Sequence, residues 1–467
     1  MGFLITFAPI MFTENFKDHF KKTILLAWPV CLSNLGNVMV GVVDIIMVGR
    51  IGERTFGYSA TTAQAAVSLA NGFCFLILIF GMGVSYGVTP LVAAADSSGN
   101  VNEHKKLLSS ALVVNVITNV ALFLLLFAIS PMINFIHQPN DVVVLAIPFL
   151  NVMMLGMLPL AVFATLKQFT EGLSFTRVAM YITIGSNVLN VLFNYILIYG
   201  KFGFSAMGVM GSCWASFYAR MIMAVAMFLY VYFGKHFTQY KEAFLFKSVS
   251  IERMKSIFKI GASSGLQLVF EIGAFSVAMV MIGWIGKREQ AAHQIALQVA
   301  AMTYLIASGI GSAATVRVGN QLGIKNFVGL REAAYSAFII IIASQLFFAF
   351  LFVVFRFFIP TIFNQDPDVQ AIVASLFLIA AWFQLSDGIQ VVGIGVLRGV
   401  KDVTIPTLLT LIAYWLIGLP CCYLLAFVFG FGIQGVWYGL TIALTLAAIF
   451  LFLRFNYVLK NFREDKW

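Results

Sequence analysis

Between Ile257 and Gly319 the chain carries two apolar runs back to back, separated only by Lys287-Arg288-Glu289. Each is longer than the roughly 20 residues that an α-helix needs to cross a bilayer. Near the middle of the first run stands one carboxylate, Glu271. An acid at that depth costs about 2.5–3.5 kcal/mol on insertion scales. A chain that keeps such a group places it against a cavity or partners and uses it there. Lipid leaves two ways to satisfy the backbone, the helix and the closed barrel. Barrel strands are short and alternate in polarity; these runs are long and apolar on every side, so they are predicted to be helices.

The pattern recurs along the chain. Twelve spans are predicted, at 23–49, 61–93, 107–130, 142–166, 178–199, 207–233, 257–284, 290–316, 331–359, 369–397, 404–429 and 433–456. Met47-Val48-Gly49-Arg50-Ile51-Gly52 is answered by Met281-Ile282-Gly283-Trp284-Ile285-Gly286. Phe202-Gly203-Phe204 and Gly208-Val209 are answered by Phe429-Gly430-Phe431 and Gly435-Val436. Repeats at about half the chain length mean a duplication. The expected organisation is an N-terminal six-helix lobe over 1–233, a linker over 234–256 and a C-terminal six-helix lobe over 257–467. The fold class is therefore all-α, an integral membrane protein of twelve transmembrane helices in two pseudo-symmetric six-helix lobes. Six spans per half is an even number, so both halves enter in the same direction and their symmetry axis is expected along the membrane normal.

Charge supports the same class and sets the orientation. Only 10% of residues are charged and 61% are hydrophobic, against a quarter charged, roughly, in soluble domains. The formal charge of +10 does not indicate nucleic-acid binding, because the basic residues sit in loops between spans. With the N-terminus inside, 22 of the 29 Lys and Arg fall in or at the edges of inner segments, 6 fall outside and Arg220 lies mid-span. The positive-inside rule then puts both termini in the cytoplasm, and the expected location is a bacterial inner membrane. Residues 1–12 lack the basic start and cleavage site of a signal peptide, so the first span is the insertion signal. Cys31, Cys74, Cys213, Cys421 and Cys422 lie in apolar runs without metal spacing and read as core residues.

Three acids remain inside the spans by this count: Asp44, Glu271 and Asp387. Each sits on a polar stripe at helical spacing. The stripes are Asn34, Asn37 and Asp44; Ser264, Gln267 and Glu271; and Gln384, Asp387 and Gln390. Asn187, Asn190 and Asn194 form a fourth, and Gln294 with Gln298 a fifth. Amides in membranes serve as interhelical glue as readily as they line cavities. Ionised acids cost more and have no basic neighbour in their own stripes, so they point to a cation or proton. Arg220 is expected to form a structural ion pair, and His293, opening its span, to cap or lie at the interface. Pro29, Pro159 and Pro420 are expected to kink or break their spans. No nucleotide-binding loop and no hydrolase motif is present. The chain is thus not expected to be an enzyme, and uphill transport would draw on an ion gradient.

Several stretches together resemble the multidrug and toxic compound extrusion (MATE) family, most closely its NorM-type bacterial branch. They are Val43-Asp44-Ile45-Ile46-Met47-Val48-Gly49, Ala291-Ala292-His293-Gln294-Ile295-Ala296, Ala314-Thr315-Val316-Arg317-Val318-Gly319-Asn320, and Gln384-Leu385-Ser386-Asp387-Gly388-Ile389-Gln390 running on to Leu397-Arg398-Gly399-Val400-Lys401-Asp402. The resemblance spans about Lys22 to Asn456. It implies two lobes around a central cleft and export of cationic or amphipathic compounds against entry of Na⁺ or H⁺. By motif position it implicates Glu271 and Asp387 in cation binding, Na⁺ included. Asp44, Asn37, Asn190, Asn194 and Gln294, with Asp366 in an outer loop, are the candidates for substrate or proton. Phe383 departs from relatives that carry a Tyr four residues before the second-half acid, and has no hydroxyl to offer an ion.

The leading reading is a cation-coupled exporter of small organic cations or amphipathic drugs, working as a monomer in lipid with no cofactor beyond its coupling ion, Na⁺ or H⁺. A lipid-linked saccharide flippase of the same broader superfamily would need larger basic cavities, and a membrane-embedded transferase would need a polar catalytic loop. The charge count predicts a topology directly. Cysteines introduced singly at Lys247 and Asp366, in a background lacking the native cysteines, should differ in intact cells: an impermeant thiol reagent labels position 366 and spares 247. Labelling of 247 from outside would reverse the orientation.

Overall fold

The computed structural model describes residues 14–51, 56–135 and 138–462. Twelve helices among the described residues are long and apolar enough to cross a membrane. In chain order they are α1 (Glu14–Val48), α2 (Ala60–Ser97), α3 (Val101–Ile129), α4 (Asn140–Gly172), α5 (Arg177–Tyr199) and α6 (Val209–Phe233). There follow α7 (Ile251–Ile285), α8 (Lys287–Gly323), α9 (Phe327–Val354), α10 (Pro367–Gly399), α11 (Thr404–Val428) and α12 (Gly432–Phe462). No strand occurs among the described residues. Between α6 and α7, in the stretch read as a linker, Lys235–Leu245 forms a 3₁₀-helix.

Local chemistry accounts for the breaks. α2 turns at Tyr86-Gly87, just before Pro90, and α4 turns at Gly156, three residues before Pro159. A proline lacks the N–H that would continue the ladder, so the helix resets just ahead of it. In α11, π-helical turns at Ile412–Gly418 and Leu424–Val428 flank Pro420 and take up its missing bond. Pro29 differs from expectation: α1 is assigned as helix without interruption across it. Several helix starts are capped in the favoured way. Asn100 accepts from Glu103 N and Asn326 from Gly329 N, both at 3.0 Å, and Ser59 accepts from Thr62 N at 3.1 Å.

Helices also run past the ends that hydropathy assigns. α1 starts at Glu14 rather than 23, α4 ends at Gly172 rather than 166, and α8 ends at Gly323 rather than 316. Hydropathy follows the lipid, whereas these extra turns bury polar side chains against neighbouring helices. The count of three acids is corrected: Glu171 stands in the added end of α4, and Glu332, within the predicted span 331–359, was left out of it; both are buried.

The chain forms two compact units. One comprises Leu32–Val92 and Gly99–Gly265; the other comprises Met1–Cys31, Ala93–Ser98 and Leu266–Trp467. α1 and α7 each contribute to both. In the first unit, α2 and the start of α7 approach at backbone distance. A Cβ placed on Gly261 would lie 2.2 Å from the Val84 carbonyl oxygen, and one on Gly83 would lie 2.3 Å from Gly265 Cα. Small residues permit this close packing where lipid supplies no hydrophobic drive between helices. In the second unit, the start of α1 is tied to α8 and α9. Arg317 donates to His19 Nδ1 at 2.8 Å, His19 Nε2 lies 3.8 Å from a Glu332 carboxylate oxygen, and all three are buried. The duplication survives in packing. Thr89 Oγ1 donates to the Gln168 carbonyl in one unit, and Thr315 Oγ1 to the Gly395 carbonyl in the other. Each of these carbonyls lies four residues ahead of a glycine, Gly172 or Gly399, that faces Val92 or Val318.

Gly261 tests the α2–α7 contact. Gly261→Val should lower the unfolding temperature in detergent sharply, because overpacking of this kind costs about 1–3 kcal/mol or more. Gly185, which has nothing within 4 Å of its would-be Cβ, should accept alanine with no loss or a gain of about 0.5–1 kcal/mol. Equal melting temperatures for the two variants would remove glycine packing from the account.

Candidate functional site

Two polar clusters stand inside the apolar units, one in each. In the first unit α1, α2, α4, α5 and α6 enclose a cavity of about 320 Å³. Asn34, Asn37 and Asp44 line it from α1, and Asn187 and Asn190 from α5, because spacings of three and four residues put each set on one helix face. Its apolar walls include Met82, Met153, Met223, Phe149, Phe163 and Phe217. Met adapts to irregular occupants, and aromatic faces attract cations.

Asp44 is held at both oxygens. Asn194 Nδ2 donates to Oδ1 at 2.5 Å and Ser216 Oγ donates to Oδ2 at 2.9 Å. Asn194 Nδ2 also reaches Asn190 Oδ1 at 3.0 Å, and Asn190 Nδ2 reaches Ser216 Oγ at 3.2 Å, which closes a ring of four side chains. The structure therefore brings Asp44, Asn190 and Asn194 together, with Asn37 on the same cavity wall. Ser216 was not singled out in the sequence; a serine in an apolar run reads as a small packing residue. Lys167, on the cavity, lies 3.8 Å from Glu171 and donates to Ser33 Oγ at 3.4 Å. This pair was missed because span 142–166 stops just short of it.

Arg220 departs from expectation. It lines the cavity but forms no ion pair or hydrogen bond with any described residue. Asp44, the nearest acid in charge terms, already has both oxygens engaged by neutral donors.

In the second unit Glu271 of α7 and Asp387 of α10 are both buried, at 4% exposure, and near enough for their charges to interact. No donor from a described residue reaches either carboxylate. Around them are buried amides and hydroxyls. Gln267 donates to Thr410 at 3.0 Å, and Tyr414 donates to Gln390 Oε1 at 2.8 Å while its ring stands within electrostatic reach of both acids. The side chain of Gln345 packs against Gly388, beside Asp387, and its amide lacks a partner, as does Gln384 Oε1. Gln345 and Tyr414 were not legible as site residues, being single polar groups in apolar runs. Phe383 packs between Phe275 and Trp437, at ring distances of 5.9 and 5.3 Å. The hydroxyl in this cluster comes from Tyr414 instead. No group of three or more His, Cys, Asp or Glu suited to a metal occurs among the described residues. What the cluster offers is two carboxylates and neutral amide oxygens, a donor set for a hard monovalent cation or a proton.

The remaining candidates lie apart from both clusters. Gln294 is exposed on α8 and donates to Met279 Sδ at 3.5 Å. Asp366 caps α10 and pairs with Arg288 at 3.4 Å, beside the closer Arg288–Asp368 pair at 2.7 Å. His293 is not at an interface: its ring is fully buried against Trp437 at 5.8 Å. Helix start and membrane surface do not coincide here, so a residue near the end of the span is covered by α12.

Comparison with known proteins shows the family and the fold. The MatE family model matches residues 29–196 and 264–424. The probable multidrug resistance protein NorM of Rhizobium meliloti (strain 1021) is 31% identical over 453 residues, covering 96% of this chain and 95% of its own. The multidrug resistance protein MdtK of Yersinia enterocolitica serotype O:8 is 33% identical over 446 residues, covering 94% and 96%. Among solved structures, the eukaryotic MATE transporter AtDTX14 superposes with a TM-score of 0.84 at 22% identity, over 97% of this chain and 99% of its own, which shows the shared fold.

Proposed function

The chain belongs to the MatE family, and we propose that it is a secondary multidrug exporter, exchanging cytoplasmic cationic or amphipathic organic compounds for Na⁺ or H⁺. The observation that carries the coupling is the pair Glu271 and Asp387, two buried carboxylates with no donor from any described residue on either. Two such charges removed from water and left uncompensated are expensive to hold together. A Na⁺ among carboxylate and amide oxygens, or a proton shared by the pair, removes that cost. The cavity around Asp44 is the place for the organic compound, being mostly apolar and lined by a fixed acid. Named multidrug resistance relatives over nearly the whole chain support the substrate class. The excess of basic residues on one side supports cytoplasmic termini. The chain is taken to act as a monomer.

Coupling requires that the ion and the drug favour different states of the protein. An ion arriving at Glu271 and Asp387 from outside then lowers drug affinity, and its departure inward restores it. Each conservative replacement, Glu271→Gln or Asp387→Asn, keeps the shape and removes one charge. Each should cut ion-driven export about tenfold or more, equivalent to about 1.4 kcal/mol of lost coupling. Asp44→Asn should impair export while leaving ion binding to the second unit. The measurement is drug affinity of purified protein across a Na⁺ series and a pH series. Wild-type affinity indifferent to both ions would refute the coupling, as would a Glu271→Gln, Asp387→Asn double variant that still exports against a gradient.

A further inference from the structure

The stretch between α6 and α7 is wound as a 3₁₀-helix over Lys235–Leu245, 11 residues long, where runs beyond three or four residues are uncommon. Three residues per turn bring positions i and i+3 into line, so this helix has three faces. Phe237, Tyr240 and Ala243 make the first, and all three are buried. Phe237 packs on Phe175 and Tyr230, and Tyr240 on Phe169. His236, Gln239, Glu242 and Leu245 make the second, which is exposed. Lys235, Thr238, Lys241 and Phe244 make the third. With the first face fixed inward, the third sets two ammonium groups and a hydroxyl in one row, about 6 Å apart along the axis.

No acid among the described residues pairs with either lysine of the row. Glu242, next to Lys241 in sequence, is bound to Lys105 at 2.5 Å. The Lys241 ammonium stands instead over aromatic faces at the end of α6, 5.6 Å from the Tyr232 ring and 6.0 Å from that of Phe233. Such a placement orients a cation without cancelling its charge. Phe244 fixes this corner by packing edge-on against Phe228 at 5.1 Å and Tyr232 at 5.7 Å.

An apolar track leads up to the row. Val225, Leu229 and Phe233 follow one another at one-turn spacing on α6, and all three are exposed. Any exposed apolar face of a spanning helix meets acyl chains; this one ends at two unpaired cations. A soluble phosphate would use the lysines and leave the track empty. A zwitterionic phospholipid would bring its own cation against them. We propose that Lys235, Thr238 and Lys241, with Phe233 beneath them, bind an anionic phospholipid, its phosphate on the row and an acyl chain along α6. The basic-residue count puts this stretch at the cytoplasmic leaflet, the one whose surface potential is negative. The site does not depend on what the protein transports.

The test titrates the full-length protein, in a neutral detergent, with dioctanoyl phosphatidylglycerol, dioctanoyl phosphatidylcholine and inorganic phosphate, and follows bound lipid by native mass spectrometry. A lysine beside a membrane surface contributes about fivefold to the binding of an anionic lipid. Phosphatidylglycerol should therefore bind about tenfold or more tightly than phosphatidylcholine, and inorganic phosphate at equal concentration should not displace it. Lys235→Gln with Lys241→Gln should remove that preference and leave phosphatidylcholine binding as it was. Lys255→Gln with Lys259→Gln takes the same charge from exposed positions on α7 and should change nothing. If the first double variant melts below wild type, Lys235→Gln alone, at an exposed position, must still cost about fivefold; no loss there overturns the site. A wild type that binds both lipids alike overturns it, as does an equal loss from the two lysine pairs. Displacement of phosphatidylglycerol by inorganic phosphate also overturns it and makes the row a site for soluble phosphate.

Discussion

The cost of an uncompensated charge away from water is the constraint on which this molecule depends. In the apolar interior every ionised group must find donors, a counter-charge or a cavity. Most of the buried charges have done so. Asp44 has two neutral donors, Lys167 and Glu171 face each other, and Arg317 leans on His19 with Glu332 beyond it. Three groups have no hydrogen bond or ion pair among the described residues: Glu271, Asp387 and Arg220, the last with the charge of Asp44 within reach. Two of them are acids placed together, and the third borders the cavity. Charges left in this condition are available to something that arrives from outside. The acid pair is buried among packed side chains. Arg220 lines a cavity of about 320 Å³.

Much of this was legible in the sequence because lipid restricts the choices. Span number and helical fold follow from run length alone. The association of Asp44, Asn190 and Asn194 was foreshadowed by helical spacing, since each polar set occupies one face and lipid leaves a polar face nowhere to go but inward. What escaped notice has a common cause. Lys167, Glu171 and the His19–Arg317 contact lie in turns beyond the hydropathy limits, where polar side chains read as loop. Ser216, Gln345 and Tyr414 are solitary polar groups in apolar runs, indistinguishable by pattern from packing residues. Arg220 was visible but misjudged, because pairing is a property of three-dimensional neighbours, and its nearest acid is already engaged.

His293 shows the same limit from the other side. It opens its span in the sequence, and a histidine there is usually wet. Here α12 brings Trp437 against it and buries it completely. Phe383 shows how a missing group can be supplied from elsewhere. No inspection of α10 would reveal that the hydroxyl near Asp387 belongs to Tyr414, on the next helix, in a stretch wound as a π-turn. A π-turn widens the helix by one residue per turn and re-aims the side chains it carries.

The duplication makes the division between the two clusters more pointed. Both halves keep the same internal scaffold, with Thr89 and Thr315 bonded to equivalent carbonyls and Gly172 and Gly399 packed on equivalent valines. At the offset of 227 residues that relates Gly172 to Gly399, Asp387 corresponds to Leu160, Gln390 to Phe163 and Tyr414 to Asn187. All three first-half residues line the cavity. One stretch of helix surface has therefore become the wall of a cavity in one unit and a closed acidic cluster in the other. Leu160 and Phe163 carry no charge to hold an ion, whereas Asp387 and Gln390 are polar and buried. α1 and α7 each contribute to both units; α1 lines the cavity with Asn34, Asn37 and Asp44, and α7 carries Glu271.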